Sequence, residues 1–208
     1  MGLPARSADR PRESIVALRH HRERIPPVAR VRSTMVISSL RGLRERGLLD
    51  AYRVRLPEAF HEPILGAVVG AWLGLDVATA HYSACDALGL TVPEQVSMGA
   101  SVGDAINGTF LGTVVRMARG AGVTPWLVLK QYARLWDRIF DGGDVEIDKL
   151  GPKEALIQMH GLSLFSIPYI RVAMRGMHQT GFMLFCNKCY MTDLASGPTK
   201  HAYRAAWA

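Results

Sequence analysis

Apolar positions between residues 31 and 139 recur at helical spacing. Met35, Val36, Leu40 and Leu43 share one face, with Arg41, Arg44 and Arg46 between them, and Gly47 ends that helix. The apolar, Gly-rich stretch from about Glu58 to Gly74 predicts a helix packed closely against its neighbours. Thr79 to Leu88 gives another, closed by Gly89, and Pro93 starts the next. Residues 94–119 read as one long helical stretch, interrupted around Gly99–Gly103. Thr124-Pro125-Trp126 marks a further start, with a capping Thr and Pro at the first position. Leu127, Tyr132, Leu135, Trp136 and Ile139 follow on it.

After Asp141-Gly142-Gly143 the period falls to two. Asp144 to Asp148 alternates, with Val145 and Ile147 on one face and the acids facing solvent. Lys153 to His160 makes the second strand after Gly151-Pro152. Ile167 to about Cys186 returns to helix, with Ile170, Met174 and Met177 on related faces. Lys188–Leu194 and Lys200–Trp207, joined through Ser196-Gly197-Pro198, form a second hairpin. Helices followed by β-β-α-β-β predict an α+β fold with an antiparallel sheet.

Composition places this order in a single globular domain. The chain has 208 residues, 49% hydrophobic and 21% charged. Its longest compact apolar run, Ile64 to Leu75, is broken by three glycines and falls short of the roughly 18 residues a membrane span needs. The net charge of +7 is unevenly placed. Residues 1–55 hold 13 of the 25 Lys and Arg and 5 of the 18 Asp and Glu, leaving the remainder near neutral. Residues 1–27, rich in Arg and Pro, read as a flexible basic leader, and 28–208 as one α+β domain. Three cysteines argue against a disulfide framework, and no apolar run follows Arg6, Arg10 and Arg12 as a secretory signal requires. A cytoplasmic protein is expected.

Candidate chemistry is sparse. Cys186-Asn187-Lys188-Cys189 has the spacing of a zinc knuckle, with His178 and His201 as the remaining ligands; buried, unpaired thiols are the competing expectation. No Gly-x-Ser-x-Gly, phosphate-binding loop or dinucleotide fingerprint exists, Gly99-Ala100-Ser101-Val102-Gly103 lacking the third glycine. Asp137, Asp141, Asp144, Glu146 and Asp148 miss the spacing of a calcium loop and read as a wet strand face. A non-enzymatic protein is expected.

The segments "VRSTMVISSLRGL" (31–43), "HYSACDALGL" (81–90) and "GVTPWLVLKQYARLWDRIFDGG" (122–143) carry a resemblance, completed by "LGPKEALIQM" (150–159) and "PYIRVAMRG" (168–176). In layout the chain resembles the superfamily of haem–nitric-oxide-binding domains, four-vinyl-reductase domains and Bet-type TRAPP subunits. More narrowly it is similar to an uncharacterised family of chains of this length found mainly in myxobacteria. The resemblance implies helices ahead of a four-stranded sheet and a cavity between the two. Trp126, Trp136, Tyr169 and Met174 are the residues expected to border it. Cysteine ligands near the C-terminus, as in some four-vinyl-reductase relatives, are in keeping with the zinc reading.

The superfamily's haem domains use a proximal His and a Tyr-x-Ser-x-Arg element. This chain has no such element, His81-Tyr82-Ser83 departing from it. No cofactor is therefore expected, zinc apart, and haem binding is put in doubt. The function expected is a ligand-sensing or protein-interaction module in signalling, taking an apolar small molecule or a protein partner. A scaffold or regulator of a small GTPase or membrane-associated complex, dimerising through residues 64–90, is the first alternative. Nucleic-acid binding through the basic arm is the second and is disfavoured, since the arm lacks interleaved aromatics.

Overall fold

The computed structural model describes residues 13–106, 108, 124–194 and 196–208. The chain enters through two strands, β1 (Glu13–Val16) and β2 (Arg30–Arg32). The helical part follows as α1 (Ser33–Glu45), α2 (Leu49–Arg55), α3 (His61–Leu65), strand β3 (Trp72–Gly74), α4 (Leu75–Asp86) and α5 (Val92–Ile106). Then α6 (Pro125–Lys130) and α7 (Tyr132–Ile139) lead into β4 (Phe140–Asp141). The hairpin β5 (Asp144–Gly151) and β6 (Glu154–His160) precedes α8 (Pro168–Met183), and β7 (Cys189–Asp193) with β8 (Lys200–Trp207) closes the chain. The α+β class and the terminal β-β-α-β-β order are as the sequence pattern predicts.

The main sheet is antiparallel with strand order β1-β5-β6-β8-β7. Its inner face is set by period two: Val145 and Ile147, Ala155, Ile157 and Met159, Tyr203 and Ala205 are all buried. Helix α8 covers that face, placing the His178 ring 5.3 Å from that of Tyr203. A small second sheet, β3-β2-β4, ties the helical part to the end of α7. No helix among the described residues is long and apolar enough to cross a membrane.

Helices α5 and α8 meet backbone to backbone. A Cβ on Gly99 would fall 1.7 Å from the Ala173 carbonyl oxygen, and one on Gly176 2.0 Å from that of Val96. Glycine is required at both places, because only a missing Cβ allows this approach. Gly99–Gly103 therefore serves helix packing, and α5 runs through it without interruption. Thr91 and Glu94 start α5 as a capping box, the Glu94 carboxylate accepting from both the Thr91 amide (2.7 Å) and its hydroxyl (2.6 Å).

Several expectations are corrected. The stretch read as a flexible leader is held in place from residue 13 onward, because its cations find acids on the body. Glu13–Val16 pairs with β5, and Arg19 bridges Asp137 of α7 and Asp144 of β5. Arg22 pairs with Glu146. Residues 1–12 lie outside the described residues.

The strand face expected to be wet starts with a buried carboxylate. Asp144 is fully covered and accepts from the Arg19 and His20 amides, the Val145 amide and the Arg19 guanidinium. Burial works to raise its pKa, yet these hydrogen bonds together hold it below the usual carboxylate range.

Residues 58–74 form a short 3₁₀ turn (Glu58–Phe60), α3 and β3 rather than one helix; Gly70, at φ +83°, turns the chain back. The helix beginning at Pro125 breaks at Gln131 into α6 and α7, and the Thr124 side chain forms no capping bond. Of the long stretch 94–119, residues 107 and 109–119 lie outside the described residues.

Candidate functional site

A cavity of about 70 Å³ lies among α5, α6, α7 and α8. Ile106, Trp136, Ile139, Met177 and Phe182 supply apolar walls. Among the described lining, Tyr132 and His178 are bonded to each other, hydroxyl to Nε2. A second cavity of about 20 Å³ lies one turn further along the α5–α8 seam, bordered by Ser39, Tyr82, Val102 and Tyr169. Met174 and Met177 line both.

The polar pair has a defined proton arrangement. His178 sits one helical turn beyond Met174, so its Nδ1 meets the Met174 carbonyl at 2.6 Å and must donate to it. Burial pushes the imidazole pKa down to about 4, against the Met174 carbonyl and with help from His201. The ring is therefore neutral and its Nε2 is an acceptor, which the Tyr132 hydroxyl satisfies. Burial pushes the Tyr132 phenol above its usual range. The hydroxyl also approaches the Met159 sulfur at 3.6 Å, and the Tyr132 and His178 rings stack at 5.5 Å. Displacing Tyr132 would expose an imidazole nitrogen, already oriented by a backbone carbonyl, to the cavity.

The predicted residues divide. Trp136 borders the larger cavity, held by Phe140 at 4.3 Å and by its indole N–H on the Gly142 carbonyl. Met174 borders both cavities and Tyr169 the smaller. Trp126 borders neither. Its indole N–H is spent on the Pro152 carbonyl and its ring meets Trp207 at 4.8 Å.

The four expected zinc ligands do not assemble, and no group of three metal-binding side chains exists among the described residues. Cys186 donates to the Phe182 carbonyl, and His201 is held by Asp193. Burial pushes the Cys186 thiol up and that of Cys189 to about 12, the reverse of what a ligating thiolate needs. His178 belongs to the cavity, and Tyr132, read only as a helix-face residue, is its missed partner. The signal for the pair is weak in one dimension, since the two lie 46 residues apart.

A second buried polar string runs through the helical part. Tyr52 and His81 are joined at 2.7 Å, and His81 Nε2 faces the Cys85 sulfur at 3.8 Å. Burial lowers the His81 pKa to about 3 and raises that of Cys85 to about 12. These groups satisfy one another's polar atoms inside the helical part. A larger groove of about 460 Å³, between Arg55, Phe60 and Thr79, is open to solvent and holds no such pair.

Neither family models nor curated proteins match the chain. Solved structures do. One, from work on modulating haem redox potential through protein-induced porphyrin distortion, matches with a TM-score of 0.54 at 10% identity, over 85% of this chain and 99% of that one. Another, from work probing the function of haem distortion in the H-NOX family, gives 0.56 at 10% identity, over 85% and 94%. At that identity the likeness establishes a shared fold. It bears out the haem–nitric-oxide-binding-like fold that the sequence resemblance implied and nothing narrower. It also overturns the expectation against haem: both neighbours come from work on haem, so a missing Tyr-x-Ser-x-Arg does not dispose of that group.

Proposed function

We propose that this chain is a ligand-sensing domain whose site is the larger cavity, taking an apolar ligand that presents one polar or metal atom to Tyr132 and His178. The observation carrying this reading is the buried hydroxyl–imidazole pair set in otherwise apolar walls, in a fold shared with haem proteins. Two residues that can each bond a ligand's polar atom are held there, satisfied by each other while no ligand is bound.

Haem is one occupant of that class. The donor set fits it, since His178 Nε2, with Nδ1 already held by a carbonyl, is a donor that would hold the iron, and the Tyr132 phenol is another residue type able to ligate it. When bound, the iron would supply gas binding or electron transfer. This chain's residues would orient the imidazole, keep it neutral, and enclose the macrocycle in Trp136, Ile139 and Phe182. At about 70 Å³ the cavity takes a macrocycle only when α7 and α8 part. Haem added to the purified protein should give a Soret band that shifts in Tyr132→Phe and weakens in His178→Ala. A wild-type spectrum identical to free haem overturns this occupant.

Two observations favour a second, iron-free reading: the small volume, and a described lining that holds no Lys or Arg. An organic molecule with a hydroxyl or ring nitrogen at one end would exchange bonds with Tyr132 and His178 directly. Quenching or enhancement of Trp136 fluorescence by such a molecule, lost in Trp136→Phe, tests it.

A further inference from the structure

We infer that the two cavities are halves of one elongated site, and that its ligand class is a molecule with a polar head and a linear apolar tail. This rests on the iron-free reading of the larger cavity.

Four observations join the halves. Both cavities lie along one seam, between α5 and α8, and neighbouring α5 residues wall them in turn: Gly99 and Val102 the smaller, Gly103 and Ile106 the larger. The partition between them consists of Met174 and Met177, which line both. An unbranched thioether side chain with three rotatable bonds is the kind that moves aside at small cost. The helices themselves are pinned by Gly99 and Gly176 against opposing backbone, so the side chains, not the helices, are free to open the partition.

The two halves differ in chemistry. The larger is lined by Tyr132 and His178, which can exchange hydrogen bonds with a head group. The smaller is lined by Val102, Ile170, Ala173 and the ring of Tyr82, with Ser39 and Tyr169 as its polar members. A tail passing Met177 would meet mostly apolar walls. A compact ligand would occupy the larger half alone and leave the smaller empty.

A series of 4-n-alkylphenols from methyl to octyl tests this by isothermal titration, with Trp136 fluorescence as a second readout. Affinity is expected to rise about fourfold per added methylene until the tail fills both halves. Met177→Ala should extend that rise to longer tails. Val102→Phe, which fills the smaller half, should cut the rise short; thermal melts of both variants verify folding. Binding of 4-methylphenol with no gain from longer tails, in wild type and Met177→Ala alike, overturns the elongated site and leaves the larger cavity standing. Failure of every member to bind, the shortest included, overturns the cavity reading and this inference with it.

Discussion

Gly99 of α5 and Ala173 of α8 approach so closely that a Cβ on the glycine would lie 1.7 Å from the alanine carbonyl oxygen. With Gly176 against Val96, that contact sets the spacing of α5 and α8, two of the helices that border both cavities. Helix propensity alone would favour alanine at position 99 by about 1 kcal/mol. The clash is with backbone, which cannot rotate away, so the steric effect wins. Gly99→Ala and Gly176→Ala are each expected to lower stability by about 3 kcal/mol or more, read as a fall in the urea midpoint. Gly103→Ala, where the nearest atom would be 2.9 Å away, should cost distinctly less.

Tyr132→Phe keeps the ring and removes one hydroxyl. His178 Nε2 is then left buried without its partner, at a cost of about 1–3 kcal/mol. The double change Tyr132→Phe with His178→Leu removes both polar groups and should recover part of that loss. A double-mutant cycle showing strict additivity would rule out the bond as a coupled unit.

Acid should weaken the fold through its buried imidazoles. His178 and His81 ordinarily titrate near 6.5, but burial holds them near 4 and 3 in the folded chain. Between those values and 6.5 the unfolded chain binds more protons, so stability falls as pH falls through this window and is insensitive to these groups above it. Asp144 acts in the same direction at lower pH: its folded pKa lies below 3.8, so its contribution is present above that value and is lost on further acidification. Urea midpoints measured at pH 7.5, 6 and 5 should decline in order, and the Tyr132→Phe/His178→Leu protein should decline less. Equal midpoints at all three would refute the assignment of neutral, buried rings.

The N-terminal segment is held mainly by Asp144. Arg19→Ala is expected to cost only about 1 kcal/mol, since the guanidinium is 40% exposed and the backbone amides of Arg19 and His20 keep their acceptor. Asp144→Ala strands the Arg19, His20 and Val145 amides at once, the last of them buried, and should cost about 3 kcal/mol. Hydrogen exchange at residues 13–20 should speed up markedly in Asp144→Ala and modestly in Arg19→Ala.

Local rules reach as far as local causes do. The β5–β6 and β7–β8 hairpins, and the helix ends at Gly47 and Gly89, follow from alternation and from glycines that the structure places at positive φ. The fate of residues 13–27 was not legible, because their strand partner lies more than a hundred residues away and complementary charges must meet before the segment orders. Gly99 and Gly103 look like helix breakers when read alone and become packing surfaces only beside Ala173, Met177 and Gly176. For the site, the residues that the resemblance implied include Trp136, Tyr169 and Met174, which line the cavities, but also Trp126, whose turn toward Trp207 no layout encodes. His178 was noticed for its metal-binding capacity; its true neighbour, Tyr132, stands on another helix.

The pairing of β1 with β5 sets an order of events during synthesis. Glu13 faces Lys149 across 136 positions of chain, and closing so long a loop is entropically slow compared with forming helices. Translated early, Glu13–Val16 cannot dock until the β5 hairpin has been made and has left the ribosome. The first strand to be born is thus among the last to find its place.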